Sequence, residues 1–334
     1  MKASKSQLNG LFEKFNDLTV LIIGDVMIDA YYWGKVDRIS PEAPVPIVAV
    51  EKKESRLGGA ANVALNIKAM GATPILCSVI GADEDGKELL ELTKENGQTT
   101  EGLISSDHRR TTKKTRIIGN NHQMLRIDGE DLHDLNETEE LNFYEKITSI
   151  LNSRNVDAII FEDYDKGSIT PSLIKKVVTL ANEKNIPTTV DPKKNNFINY
   201  HNVSLFKPNL KELKEGLKIE FNHKNQVDLE DAIDKLELTL QNKNTLITLS
   251  ELGVFITSPK VKHHIKAHHR DITDVSGAGD TVISVATLCL ALNQEPEMIA
   301  ELSNLAGGLV CENVGVVPIN KAELLEEAIR LFTN

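Results

Sequence analysis

Asp274-Val275-Ser276-Gly277-Ala278-Gly279-Asp280-Thr281, followed by the apolar run 282–292, is the stretch on which the rest of the chain turns. Two glycines at a strand-to-helix turn let main-chain N–H groups point at an anion, and the helix dipole adds to that field. Asp280 is an acceptable first-turn residue, yet it sets a carboxylate beside an anion site. Two negative groups side by side are unfavourable unless one of them moves a proton. The bland alternative is a capped helix start after glycines. Asp274 and Ser276 ahead of the turn, and a second glycine motif elsewhere, argue against it.

Outward from this turn, short apolar runs alternate with helix-length amphipathic stretches. Residues 20–23, 75–80, 158–161 and 245–249 read as strands. Residues 60–70, 87–95, 139–151, 171–183, 227–240, 278–292 and 321–332 carry helical spacing. This alternation predicts an α/β fold, a mostly parallel central sheet with helices on both faces. Ligands of such sheets gather beyond the carboxyl ends of the strands. Two segments break the rhythm. Residues 31–51 hold Pro41, Pro44 and Pro46 ahead of Val48-Ala49-Val50, and residues 111–128 fold about Gly119-Asn120-Asn121. Neither is followed by a helix, so both are expected in a small β lid, at about 31–50 and 111–128. No linker or repeat divides residues 1–334, which read as one domain.

The 334 residues include 38 basic and 49 acidic side chains, a net charge of -11. This opposes general nucleic-acid binding, which needs a basic surface, but leaves room for a local basic pocket. Cys77, Cys289 and Cys311 lie singly in apolar runs and read as buried thiols. Residues 1–16 lack a long apolar stretch and do not read as a signal peptide. With no apolar run of about 18 residues anywhere, no membrane span is expected, and the cytoplasm is the default.

Gly58-Gly59-Ala60-Ala61-Asn62 opens a predicted helix, where a diglycine admits a ligand close to the backbone and Asn62 offers both donor and acceptor. Its alternative is a tight turn. Lys207-Pro208-Asn209-Leu210-Lys211-Glu212 puts Asn209 and Glu212 at capping-box spacing, and Glu212 there could also organise waters on a divalent cation. Together the motifs suit phosphoryl transfer to an alcohol. Gly81-Ala82-Asp83-Glu84-Asp85-Gly86-Lys87 imitates a phosphate loop, but three acids lie inside it and Glu88 stands where Ser or Thr is needed. Gly277–Val282 lacks the third glycine of a dinucleotide fingerprint and lies late in the chain, which leaves an oxidoreductase a weak rival. His263, His264, His268 and His269 lack a completing Cys or carboxylate and read as solvent-facing on an edge strand.

In order and spacing the three motifs resemble the PfkB (ribokinase-like) carbohydrate kinases over nearly the whole chain. The resemblance implies Asp280 as catalytic base and Gly277, Ala278 and Gly279 as the anion hole. Gly58, Gly59, Asn62 and Asp29 are implied as sugar contacts, with Asp29 and Asp25 at the end of the first strand. Asn209 and Glu212 correspond to the Asn-x-x-Glu element for Mg2+ and phosphate, Glu212 acting through water. Thr248, Ser250 and Gly253 fall in the nucleotide loop, where Ser250 replaces a frequent glycine, and Asn304 falls near the adenine pocket. ATP and Mg2+ are implied, a monovalent cation is compatible, and a homodimer is expected.

A narrower resemblance, to the heptose 7-phosphate kinases of ADP-heptose synthesis, is carried by residues 24–29, 37–46 and 115–128 and by Asp163-Tyr164-Asp165-Lys166-Gly167. It implies D-glycero-D-manno-heptose 7-phosphate, phosphorylated at O1. The chain stops at Asn334, which suggests the stand-alone form of an enzyme often fused to a nucleotidyltransferase. Lys166, Lys193 and Arg126 are implied for the substrate phosphate, with Lys194 and Arg116 as further candidates, and Asp83 is placed near the substrate. Alternatives are a related kinase for an unphosphorylated sugar or nucleoside, or a catalytically silent sugar-binding protein.

Overall fold

Val20 and Ile22 pack into one apolar core and Leu21 and Ile23 into another. A strand buried on both sides needs helices above and below, and the computed structural model has them. It describes residues 3–223, 225–259 and 261–333. In chain order the elements are α1 (Lys5–Lys14), β1 (Thr19–Gly24), β2 (Val26–Ile39), β3 (Pro46–Gly59), α2 (Ala60–Ala69), β4 (Thr73–Gly81), α3 (Glu84–Glu95), β5 (Gly102–Ser106), β6 (Lys113–Gly119) and β7 (His122–Gly129). There follow α4 (Glu137–Ser153), β8 (Ala158–Glu162), α5 (Pro171–Glu183), β9 (Thr188–Asp191), β10 (Leu205–Phe206), α6 (Leu210–Leu217), α7 (Gln226–Leu240), β11 (Asn244–Thr248), β12 (Val254–Ser258), β13 (Val261–Ile265), α8 (Ala278–Ala291), α9 (Pro296–Val310) and α10 (Lys321–Phe332).

The large sheet has the order β13-β12-β11-β10-β9-β8-β1-β4-β5. From β11 to β5 all pairings are parallel, while β12 and β13 add an antiparallel edge. Leu21 pairs with Ile75 on one side and Ile159 on the other. From β1 the chain winds to β4 and β5, then crosses to β8 and onward in the opposite direction. The carboxyl ends of β1 and β8 therefore flank the switch point, where a crevice forms.

A second sheet, ordered β3-β2-β6-β7, forms the lid. Only Asp25 separates β1 from β2, so the lid grows directly out of the central sheet. Asp29, expected at the end of the first strand, instead lies on β2, because β1 stops at Gly24. Asn120 and Asn121 take φ of 51° and 65°, the left-handed pair that a tight two-residue hairpin requires. The lid strands begin and end beyond the expected ranges, reaching back to Val26 and on to Gly129. No helix among the described residues is long and apolar enough to cross a membrane.

Candidate active site

Gly277 precedes α8 with φ of 80°, a left-handed conformation that a Cβ disfavours. Among the described residues no side chain caps α8, nor α2 and α9, whereas α1, α3, α4, α5, α6, α7 and α10 each receive one. The Ala278 amide donates to the Val275 carbonyl at 3.3 Å, and the helix start as a whole keeps its positive end towards the adjoining cavity. Asp280 follows in the first turn, 5% exposed. Asn62 Nδ2 donates to one of its carboxylate oxygens at 2.6 Å and the Tyr164 hydroxyl to the other at 2.9 Å. Burial pushes its pKa up to about 6, with Asp191 adding to the rise and Asn62, Tyr164 and Lys207 opposing it. The carboxylate thus faces polar groups from α2 and from the ends of β8 and β9.

Three carboxylates converge there. Oxygens of Glu162, Asp191 and Asp280 all lie within 4.8 Å of one another. Lys207 Nζ holds Asp191 at 2.7 Å, but among the described residues neither oxygen of the fully buried Glu162 has a hydrogen-bond partner. Burial, then Asp191 and Asp280, raise the Glu162 pKa well above the usual carboxylate range. An orphaned carboxylate beside a second one is a donor set that suits a hard divalent cation. Glu162, Asp191 and Tyr164 carried no role in the sequence reasoning. The available signal was slight: β8 is an apolar run that finishes on Glu162, while β9, Thr188-Thr189-Val190-Asp191, has little apolar character to mark it as a strand.

On the lid side, Asp29 is buried and paired with Arg116 at 2.5 Å. A Cβ on Gly58 would stand 2.3 Å from Asp29 Oδ2, so glycine there makes room for that carboxylate. Gly59 ends β3, and Asn62, one turn on, is turned towards Asp280. Asp25 is 1% exposed and turned towards the loop after β8. Its oxygens accept the backbone amides of Tyr164, Lys166 and Ser168 at 2.9–3.1 Å and shape that loop. Asp83 caps α3 and binds the Thr111 amide at 2.9 Å, which brings it to the base of the lid. Lys166 pairs with Glu130 at 3.0 Å, Arg126 with Asp128 at 2.9 Å and Lys193 with Glu212 at 2.7 Å. Lys194 is exposed.

On the other side of the Gly277–Gly279 turn lies a cavity of about 670 Å3 that brings together Thr248, Ser250, Gly253 and Asn304, the expected nucleotide contacts, with Ala278 and Gly279. Gly307 and Gly308 of α9 and the half-buried Arg270 complete its wall. Ser250 adopts φ of 53°, the conformation that the usual glycine would supply. His268 and His269, expected on an edge strand, instead line this cavity, because β13 ends at Ile265. Asn209 and Glu212 form both halves of a capping box at the start of α6, so one Glu212 oxygen serves the helix and the other Lys193.

An anion-receptive helix start between a nucleotide-sized cavity and a β lid is the architecture of a small-molecule phosphotransferase. The family described as pfkB family carbohydrate kinase matches residues 17–322, and the chain belongs to it. It is 39% identical over 308 residues to bifunctional protein HldE of Methylobacillus flagellatus, covering 92% of this chain and 62% of that protein. To the protein of the same name from Citrifermentans bemidjiense it is 36% identical over 324 residues, covering 97% of this chain and 66% of the other. The chain thus spans somewhat less than two thirds of the length of these relatives. Among solved structures, phosphofructokinase-2 from Escherichia coli in complex with potassium superposes with a TM-score of 0.79 at 17% identity, covering 95% of this chain and 99% of that one. Arabidopsis thaliana ribokinase complexed with ribose and ATP gives 0.69 at 15% identity, covering 92% and 98%. At these identities the likeness establishes the fold.

Proposed function

We propose that the chain transfers the γ-phosphate of ATP to O1 of D-glycero-D-manno-heptose 7-phosphate, giving the 1,7-bisphosphate. The observation that carries this reading is Asp280, buried, hydrogen-bonded by Asn62 and Tyr164, and set at an uncapped helix start between the cavity and the lid. The motif resemblance to heptose 7-phosphate kinases and the similarity to proteins named HldE support the choice of sugar.

In this scheme ATP occupies the cavity of Thr248, Ser250, Gly253 and Asn304, with its terminal phosphate at the amides of Gly277, Ala278 and Gly279. Asp29, Gly58, Gly59 and Asn62 bound the sugar beneath the lid. The acceptor hydroxyl replaces one of the two donors now on Asp280 and passes its proton to that carboxylate. Glu162 and Asp191, with Glu212 through water, would hold Mg2+, which when bound offsets phosphate charge. Closing the lid excludes water that would otherwise hydrolyse ATP. Two copies pair through their lids to form a homodimer.

A panel of sugars and sugar phosphates scored by ADP release, with Asp280→Asn as the blank, tests the scheme. Heptose 7-phosphate is the expected acceptor, and Asp280→Asn should be slower by roughly a hundred- to ten-thousandfold with its fold intact. Turnover of a neutral sugar or nucleoside alone would reassign the acceptor. Binding without ADP release would make the chain a sugar-binding protein, and near-normal turnover of the variant would remove Asp280 from the chemistry.

A further inference from the structure

The underside of the lid carries more cations than its carboxylates can neutralise, for Glu54 is shared by Lys52 and Arg56. Across the sheet Arg56, Asp29, Lys114 and Asp128 occupy one row of paired positions, and Glu54, Tyr31, Arg116 and Arg126 the next row on the same face. The acids of that face are all engaged: Asp29 by Arg116 at 2.5 Å, Glu54 by Arg56 at 2.5 Å and Asp128 by Arg126 at 2.9 Å. Glu130, just past β7, is held by Lys166 at 3.0 Å. Among the described residues Lys114 has no carboxylate within ion-pairing distance.

Its ammonium lies 5.9 Å from the centre of the Tyr164 ring. The hydroxyl of that same ring donates to Asp280, which places Lys114 over the acceptor side of the cleft. Lys193 approaches the ring too, at 5.1 Å, but is neutralised by Glu212. Burial, and then the nearby charge of Lys166, hold the Lys114 pKa below the ordinary lysine range despite Glu130, Asp29 and Asp128. A half-buried ammonium without a counter-ion is unfavourable, and an anionic ligand would relieve it. The excess is local, for the chain as a whole carries a net charge of -11.

We propose that Lys114 binds the phosphate already present on the sugar, so that the lid selects phosphomonoesters over neutral sugars. The inference rests on the sugar-phosphate reading above and assigns its recognition to a residue other than Lys166, Lys193 or Arg126. Those three give up a carboxylate before they can take a phosphate. Lys114 gives up nothing.

Calorimetric binding of heptose 7-phosphate and hexose 6-phosphates, each against its unphosphorylated parent, measures the preference directly. The wild type should favour the phosphorylated member, and Lys114→Met should erase roughly ten- to hundredfold of that preference, while Lys114→Arg retains most of it. In turnover the Lys114→Met loss should fall on KM for the phosphorylated sugar rather than on kcat or on KM for ATP. A wild type without preference in any pair overturns the proposal, as does a Lys114→Met protein that melts normally and keeps the preference. Weakened ATP binding in Lys114→Met also overturns it, by moving the residue to the nucleotide phosphates. A wild type that binds sugar phosphates tightly yet phosphorylates none sinks the phosphotransfer scheme and leaves the role of Lys114 standing.

Discussion

Asp280 must be ionised to accept a proton, and its environment keeps that ionisation close to the working range. With a pKa of about 6 in the free protein, raised chiefly by burial, kcat/KM should rise tenfold per pH unit below about 6 and level off above it. The Tyr164 hydroxyl bond opposes the rise, so Tyr164→Phe should move the acid limb of the profile to higher pH, and an unmoved limb would separate Tyr164 from the base. The same shift bears on stability. A carboxyl whose folded pKa exceeds its unfolded value binds protons more tightly when folded, so its contribution is present at low pH and lost as pH rises from about 4 through about 6. Asp280→Asn does not titrate and should therefore gain on the wild type across that window, by about 1–3 kcal/mol at pH 7.5 relative to pH 4. Denaturant titrations of both proteins at the two pH values read this out, and a difference independent of pH would contradict it.

In the proposed scheme the start of α8 concentrates function in one turn, and two helix starts compared side by side isolate what that turn does. Gly277→Ala forces a Cβ into a left-handed conformation at a cost of about 1–2 kcal/mol and brings it 3.2 Å from Asn62 Nδ2. Asn320 caps α10 through the amides of Ala322 and Glu323, far from the cleft in sequence and role. Asn320→Ala should cost about 1 kcal/mol as well. Thermal melts should show comparable losses, but only Gly277→Ala should lose turnover, and equal kinetics in the two variants would deny α8 its special place. Much of this was legible locally. The anion turn, the capping box at Asn209 and the lid hairpin are short-range patterns in which turn residues and spacing carry the information. α9 escaped notice because it is apolar nearly all round and contains Gly307 and Gly308, which blurs the helical period. α1 escaped because it is short, although Ser4 and Gln7 form a capping box. The convergence of Glu162, Asp191 and Asp280 is set by which strands lie side by side, as is the choice of Arg116 over Arg126 as partner for Asp29. No window of sequence contains that information.

The lid leaves two edges open, β3 and β7, and its outer positions are unusually apolar for a surface. Ile39, Val45, Val50, Met124, Leu125 and Ile127 are each between 44% and 62% exposed. Unpaired strand edges together with grouped apolar side chains favour association, and an identical lid on a second copy presents the same surface for a two-fold contact. The proposed sugar site lies on the opposite face, for Asp29 and Lys114 project from β2 and β6 of the same sheet. A lid supported by a partner should therefore hold the sugar more tightly than a lone one. Light scattering should give about twice the 36.9 kDa chain mass for the wild type at micromolar concentration. Leu125→Lys together with Ile127→Lys should place like charges across the contact and yield monomers, with KM for the sugar raised several-fold and KM for ATP little changed, since the nucleotide cavity lies on the central sheet. A wild type that is monomeric while fully active would show that the lid needs no second copy, and monomeric variants with an unaltered KM would show that pairing and sugar binding are independent.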